Sequence, residues 1–434
     1  MSSFYFQTTP DGEQVFTVDP RPIKFGVGAI DEIGSDARAL GMSRIAVFSD
    51  TQVAGLEPTA RALAALRAAG VTVTLYTETL VEPTDQSFEA AGRFVAGGDF
   101  DGIISIGGGS VMDTAKAGNL YACHPAPLLA YVNRPIGEGR PVPGPLLPHI
   151  ACPTTSGTGS EATGVAVFDL LSQHVKTGIS SKYLKPDLGL IDPSFSYTMP
   201  PLVAAGSGFD VLCHAIESFT ALPYNRRPRA EDPALRPPYQ GANPYSDIGS
   251  LEAIRLGGQY LERAVQDPTD HEARIAMSYA ATLAGISFGN AGVHIPHAMS
   301  YSVAGMIRDY HPEGWPRQSA LCPHGLSVVV NAPAAFRFTA ESNPERHARA
   351  AQALGVDIQA ISLKDAGDFL ADRLIEMMRA TGIPNGLSAL KYTEDDIPGL
   401  VKGAYQQQRL LVGSPRPVSE EDLAGLYREA MSYW

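Results

Sequence analysis

The chain has 434 residues, of which 44% are hydrophobic and 18% charged, with a net charge of −13. That length supports two domains with real cores. The negative balance argues against a nucleic-acid partner or an anionic membrane surface, and no apolar run is long enough to span a bilayer.

The first residues, MSSFYFQTTPDGEQVFTVDP, contain acidic side chains and lack a basic stretch followed by an apolar core. They read as neither a secretory signal nor an Arg-rich transit peptide. The four cysteines, Cys123, Cys152, Cys213 and Cys322, form no CxxC pair, so reduced thiols in a cytoplasm are expected. The abundance of Ala, Arg and Pro suggests a bacterial source on composition alone.

Through about residue 198 the chain alternates Val/Ile-rich runs with helical patterns. RIAVFSD (44–50), VTVTLY (71–76), GIISIG (102–107) and HIACPTT (149–155) are predicted buried strands. PTARALAALRAAG (58–70) and SFEAAGRFVAGG (87–98) have helical spacing and end in glycine. This alternation predicts an α/β domain over 1–198 with a parallel sheet covered on both faces. Ligands of such sheets gather beyond the C-terminal strand ends, where GGGS (107–110) and PTTSGTGSE (153–161) fall.

Residues 199–434 read as an all-helical domain. Helical periodicity covers 210–220, 250–265, 272–288, 344–355 and 365–382, and a last helix is expected to start at Ser419. Two segments, 221–247 and 307–323, are too Pro-rich for regular helix. Each adjoins a candidate site segment, so each reads as a functional loop, a solvated excursion or an oligomer contact.

Four residues suggest a metal: Asp210 and His214 in GFDVLCHAIES, His297 in HIPHAMSY and His324 in CPHGLS. On a helix, Asp210 and His214 leave the same face. Their apolar neighbours make a partner for the charge necessary. One carboxylate and three imidazoles suit Fe(II) or Zn(II). The bland alternatives are a surface Asp, an ordinary helix histidine, a core histidine and a loop histidine. GGGS, between a strand and a helix start, aims amides and the helix dipole at a phosphate, or else is a plain connection. Asp50 ends its strand as an acceptor for an adenosine ribose, favouring NAD over NADP, or as a turn cap.

GGGSVMDTAK, PTTSGTGSE, GFDVLCHAIES, HAMSY and PHG, in this order, resemble the iron-containing (group III) alcohol dehydrogenase family. The resemblance spans roughly residues 23–434. VEPTD (81–85), TGVAVFD (163–169), GLIDP (189–193), RPPYQGANPYSD (236–247) and FGNAGVHIPHAMSY (288–301) resemble its hydroxyacid–oxoacid transhydrogenase branch. The resemblance implies an N-terminal nucleotide domain, a helical domain, and a metal in the cleft between them. It places the metal on Asp210, His214, His297 and His324. It places the dinucleotide on Asp50, Gly107, Gly108, Gly109, Ser110, Asp113, Thr154, Thr155 and Thr158, with Lys176 as a further match. Tyr301 stands where simpler members carry a histidine proton relay, and either takes that role or packs. His294, where those members have glycine, shares the helix face, touches substrate or fills space.

The chemistry implied is hydride transfer between a hydroxyl carbon and NAD, assisted by a divalent metal, Fe(II) or Zn(II). For the transhydrogenase branch the donor is 4-hydroxybutyrate and the acceptor 2-oxoglutarate. Both carry a carboxylate away from the reacting carbon, so a cation should line the pocket. Arg226, Arg227, Arg229, Arg236, Arg308 and Arg317, all in the two Pro-rich segments, are the candidates. The rival readings are a simple NAD-dependent metal alcohol dehydrogenase, a lyase resembling dehydroquinate synthase, and a non-catalytic scaffold. Small hydroxyacids and oxoacids are the expected partners, and a homo-oligomer is left open.

Overall fold

The computed structural model describes residues 3–7, 10–173, 175–233, 236–315, 320–359 and 362–434. It divides into two compact units. One is Pro20–Met199; the other is Pro200–Trp434 together with the N-terminal residues up to Asp19.

In the first unit six strands form one parallel sheet: β1 (Ile23–Phe25), β2 (Arg44–Phe48), β3 (Thr72–Tyr76), β4 (Gly102–Gly107), β5 (His149–Pro153) and β8 (Leu188–Ile191). Their order is β1-β8-β5-β4-β2-β3, and every neighbouring pair is parallel. A separate antiparallel pair, β6 (Val165–Leu170) and β7 (Val175–Ser180), was not expected from the sequence, nor were β1 and β8. β1 is too short for a period-2 pattern to register.

Strand alternation sends successive side chains to opposite faces. Val47, Ile104 and Ile106 pack with Ala37 of α1 (Ile33–Ala39) and with Ala62 and Leu66 of α2 (Glu57–Ala68). Ala46, Phe48 and Ile103 pack the other way, against Ala91 and Val95 of α3 (Asp85–Gly97) and Val111 and Ala115 of α4 (Gly109–Cys123). Both faces are therefore covered, and β4 is buried along its whole length. The chain runs from β2 out to β3, then back across to β4. The C-terminal ends of β2 and β4 flank the point where the strand order reverses, the usual ligand crevice of such sheets.

The second unit is built around α5 (Pro201–Thr220), buried without interruption from Gly208 to Thr220. An apolar helix of that kind belongs in a core. Around it lie α6 (Pro244–Gln266), α7 (His271–Ala291), α8 (Ile295–Gly305), α9 (His324–Val329), α10 (Ala332–Ala340), α11 (Pro344–Ala353) and α12 (Ala366–Ala380). The chain ends in α13 (Gly386–Ala389), α14 (Ile397–Tyr405), α15 (Gln408–Leu411) and α16 (Glu420–Glu429). Ser419 caps α16 through Asp422, at the start predicted from sequence.

Two expectations are corrected. Residues up to Asp19 do not join the sheet unit. Tyr5 donates to Asp247 at 3.0 Å, the buried Arg346 donates to the same carboxylate at 2.9 Å, and Asn225 donates to the Phe4 carbonyl at 2.7 Å. The first Pro-rich segment is also partly helical: Pro244 opens α6, and Asn243 accepts from the amides of Tyr245 and Ser246. Proline at a first helical position loses no intrahelical bond.

Candidate metal centre and nucleotide turns

Asp210, His214 and Glu217 leave α5 at i, i+4 and i+7, hence from one face. His297 comes from the first turn of α8 and His324 is the first residue of α9. Their ligand atoms lie within 4.8 Å of one another. From Asp210 Oδ1 the distances are 3.6 Å to His297 Nε2 and 3.8 Å to both His214 Nε2 and His324 Nε2. These are too long for hydrogen bonds and leave room for an ion between the atoms. Among the described residues Asp210 Oδ1 and His297 Nε2 have no hydrogen-bond partner, although Asp210, His214 and His297 are at most 3% exposed. Buried acceptors in that state fit a divalent cation.

Glu217, which the sequence reading missed, supports the site. Fully buried, it accepts from His297 Nδ1 at 2.5 Å and from the His294 amide at 2.6 Å. A carboxylate on Nδ1 fixes the ring and presents Nε2. The His214 ring stacks on Phe288 at 3.9 Å and 7°. The clue to Glu217 was in the sequence, because its spacing from His214 keeps it on the Asp210 face.

The electrostatics require positive charge here. Burial opposes ionisation of Asp210, but the three imidazoles outweigh it and hold its carboxyl well below the carboxylate range. Burial likewise opposes ionisation of Glu217, and His297 brings it down. Burial lowers His214 to about 3, so it stays a neutral donor. Burial also depresses His297, but Glu217 and Asp210 prevail and raise it to about 10. Two buried carboxylates thus recruit a proton onto His297, and a metal cation would supply that charge instead.

His294 is not part of this cluster. Its Nε2 meets Thr220 Oγ1 at 3.1 Å, and its ring stands edge-on to Phe336 within the core. Tyr301 is buried, with its ring centroid 6.3 Å from that of His324 and its hydroxyl accepting from Arg409 Nη2 at 2.9 Å.

In the sheet unit the two glycine turns are neighbours. Gly107 is in register with Pro153, and the Thr154 amide donates to the Gly107 carbonyl at 3.0 Å. Gly108 precedes α4, whose first residue is Gly109. A Cβ on Gly109 would lie 2.7 Å from Thr158, so the close approach of the turns needs glycine there. Ser110 Oγ accepts from the Glu82 amide at 3.3 Å. Thr155 and Thr158 are half-buried and Thr154 is buried.

Three cofactor expectations change in detail. Asp113 is engaged within the unit: Oδ1 accepts from Ser160 at 2.7 Å and Oδ2 from the Val167 amide at 2.9 Å. Lys176 is buried and ion-paired with Glu82 and, at 3.0 Å, Asp169. Asp50 caps a turn through Oδ1, at 2.8 Å from the Gln52 amide and 2.9 Å from that of Val53; Oδ2 has no partner among the described residues.

Of the arginine candidates, Arg236 pairs with Glu13 and Arg308 with Asp396. Arg227 donates to the Tyr239 carbonyl, Arg226 and Arg229 are exposed, and Arg317 lies outside the described residues. The cysteines are free thiols. No helix of the described residues is long and apolar enough to cross a membrane.

The family model described as iron-containing alcohol dehydrogenase matches residues 20–193, and that of the family's C-terminal domain matches 239–431. The chain belongs to the iron-containing alcohol dehydrogenase family, and it is an oxidoreductase. It is 48% identical to the mitochondrial hydroxyacid-oxoacid transhydrogenase of Xenopus tropicalis, over 97% of this chain and 92% of the relative. For the human protein of that name the identity is 47%, over 95% and 89%.

Among solved structures, a 1,3-propanediol oxidoreductase superposes with a TM-score of 0.83 at 27% identity, covering 96% of this chain and 100% of that one. The sulfoacetaldehyde reductase of Bifidobacterium kashiwanohense, solved with NAD+, gives 0.79 at 26%, covering 96% and 99%. The expected fold of a parallel-sheet domain plus a helical domain is that of these neighbours. The expectation of a cytoplasmic, bacterial protein is overturned: these transhydrogenases are mitochondrial proteins of eukaryotes. Composition and free thiols do not separate a cytoplasm from another reducing compartment.

Proposed function

We propose that the chain is a metal- and NAD-dependent hydroxyacid–oxoacid transhydrogenase. It oxidises 4-hydroxybutyrate to succinate semialdehyde and reduces 2-oxoglutarate to 2-hydroxyglutarate, with one NAD carrying the hydride between the half-reactions. The observation that carries this reading is the convergence of Asp210, His214, His297 and His324 on one point, in a chain 48% identical to such an enzyme over nearly its whole length.

Asp210 and the three imidazoles would hold the ion, and Glu217 keeps His297 aimed at it. When bound, Fe(II) or Zn(II) supplies Lewis acidity toward a substrate oxygen and NAD supplies the hydride acceptor. The amides of Gly108, Gly109 and Ser110 open α4 and would face the pyrophosphate, with Thr154, Thr155 and Thr158 beside them. Asp50 Oδ2 would accept from the adenosine ribose and repel a 2′-phosphate. Asp113 and Lys176 would act by holding β6 and β7 beside the turns rather than by touching NAD.

The test mixes purified protein with 4-hydroxybutyrate and 2-oxoglutarate and adds no NAD. Formation of 2-hydroxyglutarate by protein that retains its cofactor is expected. A strict need for stoichiometric free NAD(H) would instead assign an ordinary alcohol dehydrogenase. Metal analysis of the same preparation decides between iron and zinc.

A further inference from the structure

The arginines of the two Pro-rich segments have a rival as substrate-binding cation on α15. Arg409 is half-buried and donates to the Tyr301 hydroxyl at 2.9 Å, with its guanidinium carbon 5.5 Å from the Tyr301 ring centroid. Tyr301 lies four residues after His297 on α8, and its ring is tilted against that of His324. Among the described residues Arg409 makes no ion pair with a carboxylate. Arg236 and Arg308, by contrast, are neutralised by Glu13 and Asp396.

A guanidinium has five N–H donors, and only one of those on Arg409 is engaged by Tyr301. The Tyr301 hydroxyl accepts that bond, so its own proton remains available to donate. Arg409 and Tyr301 together thus offer a planar fork and a hydroxyl on the same side of the centre. Tyr301 and Arg409 adjoin His324, the most exposed member of the cluster. His324 has 28% of its side chain exposed, against 4% for His214 and His297 and 2% for Asp210.

We propose that Arg409, held by Tyr301, binds the substrate carboxylate remote from the reacting carbon, and so makes the enzyme selective for hydroxyacids and oxoacids over uncharged alcohols. This deepens the transhydrogenase reading and rests on it. In 4-hydroxybutyrate the carboxyl carbon is three bonds from the carbon that gives up hydride. In 2-oxoglutarate the distal carboxyl carbon is likewise three bonds from the ketone carbon. One fixed cation therefore serves donor and acceptor in turn, as a single site alternating between two acids requires. Arginine suits the task because it matches a carboxylate with two parallel bonds.

The experiment compares kcat/KM for 4-hydroxybutyrate with that for its uncharged methyl ester, in the metal-loaded wild type and in Arg409→Gln, Arg409→Lys and Tyr301→Phe. Calorimetric titration with glutarate, an unreactive diacid, supplies a binding readout independent of turnover. Arg409→Gln is expected to lower kcat/KM for the acid roughly 100-fold or more, the scale of a lost charge-assisted pair. The ester should change less than about threefold, and glutarate should bind correspondingly more weakly. Arg409→Lys should recover part of the loss, and Tyr301→Phe should show a smaller loss of the same kind. An acid preference in the wild type that survives Arg409→Gln would overturn this assignment and leave the transhydrogenase reading standing. Equal loss for acid and ester would also overturn it, because the arginine would then act on the fold or the centre. A wild type that uses the ester as well as the acid would overturn both.

Discussion

Asp210, His297 and Glu217 form a chain of charge in which each member depends on the next. Removing the His297 imidazole would take away a proposed ligand and leave two buried carboxylates uncompensated. His297→Ala should therefore purify with little metal and lose turnover by roughly three orders of magnitude, the scale of several kcal/mol of Lewis-acid assistance. Metal analysis and steady-state rates check this; full activity in the variant would remove the centre from the chemistry. Glu217→Gln keeps an acceptor for His297 Nδ1 but drops the charge. Its metal affinity should fall about 10–100-fold in chelator competition, the usual effect of losing a carboxylate behind a ligating histidine. An unaltered affinity would reduce Glu217 to packing.

At the scale of elements, one close glycine contact shapes each of the two sites. α9 approaches α5 where Gly325 faces Gly206: a Cβ on Gly325 would sit 2.0 Å from the Gly206 carbonyl oxygen. Backbone cannot yield there as a side chain can, so Gly325→Ala must push α9 away and carry the adjacent His324 with it. Overpacking of this kind costs about 1–3 kcal/mol, and metal affinity should fall with stability. Gly206→Ala comes nearest the Leu326 side chain, at 3.3 Å, and should be milder by both measures. In the sheet unit Gly109→Ala collides with Thr158. It should weaken NAD binding at least about tenfold, as with other lost close-contact geometry, while metal content stays normal. Loss of metal in that variant would contradict the separate assignment of the two sites.

At the scale of the whole molecule, two buried histidines link folding to pH. Burial, followed by the Lys116 charge, lowers His149 to about 3, and its Nε2 is 2.8 Å from Ser105 Oγ. Burial lowers His347 to about 4 despite the Asn343 carbonyl. Neither takes a proton in the fold at pH values where the unfolded chain, near 6.5, does. The unfolded state therefore binds more protons between about 6.5 and each folded value, and stability falls as pH drops through that window. Their contribution is whole above about pH 6.5. In urea titrations from pH 7 to 4.5, His347→Gln should lose less stability on acidification than the wild type, by roughly 1–2 kcal/mol at pH 5 from this linkage. Equal slopes would mean that His347 titrates in the fold.

Much of this was written locally in the chain. Periodicity and turn chemistry placed β2 to β5, α2, α3 and the Ser419 cap, because alternation, helical spacing and capping act between residues near in sequence. The order of the motifs carried the family, and the i, i+4 spacing of Asp210 and His214 carried their shared face. Sequence alone did not decide what Asp113, Lys176 and Asp50 would bond. Each is a polar group whose partner lies on another element or in its own turn, and the fold engaged all three internally. Nor did it reveal that Glu217 orients His297, or that Arg409 of α15 donates to the Tyr301 hydroxyl. Those are pairings between residues 80 and 108 positions apart, set by how α5, α8 and α15 pack. Spacing along a chain reports which face a side chain leaves from, and packing alone decides what stands opposite it.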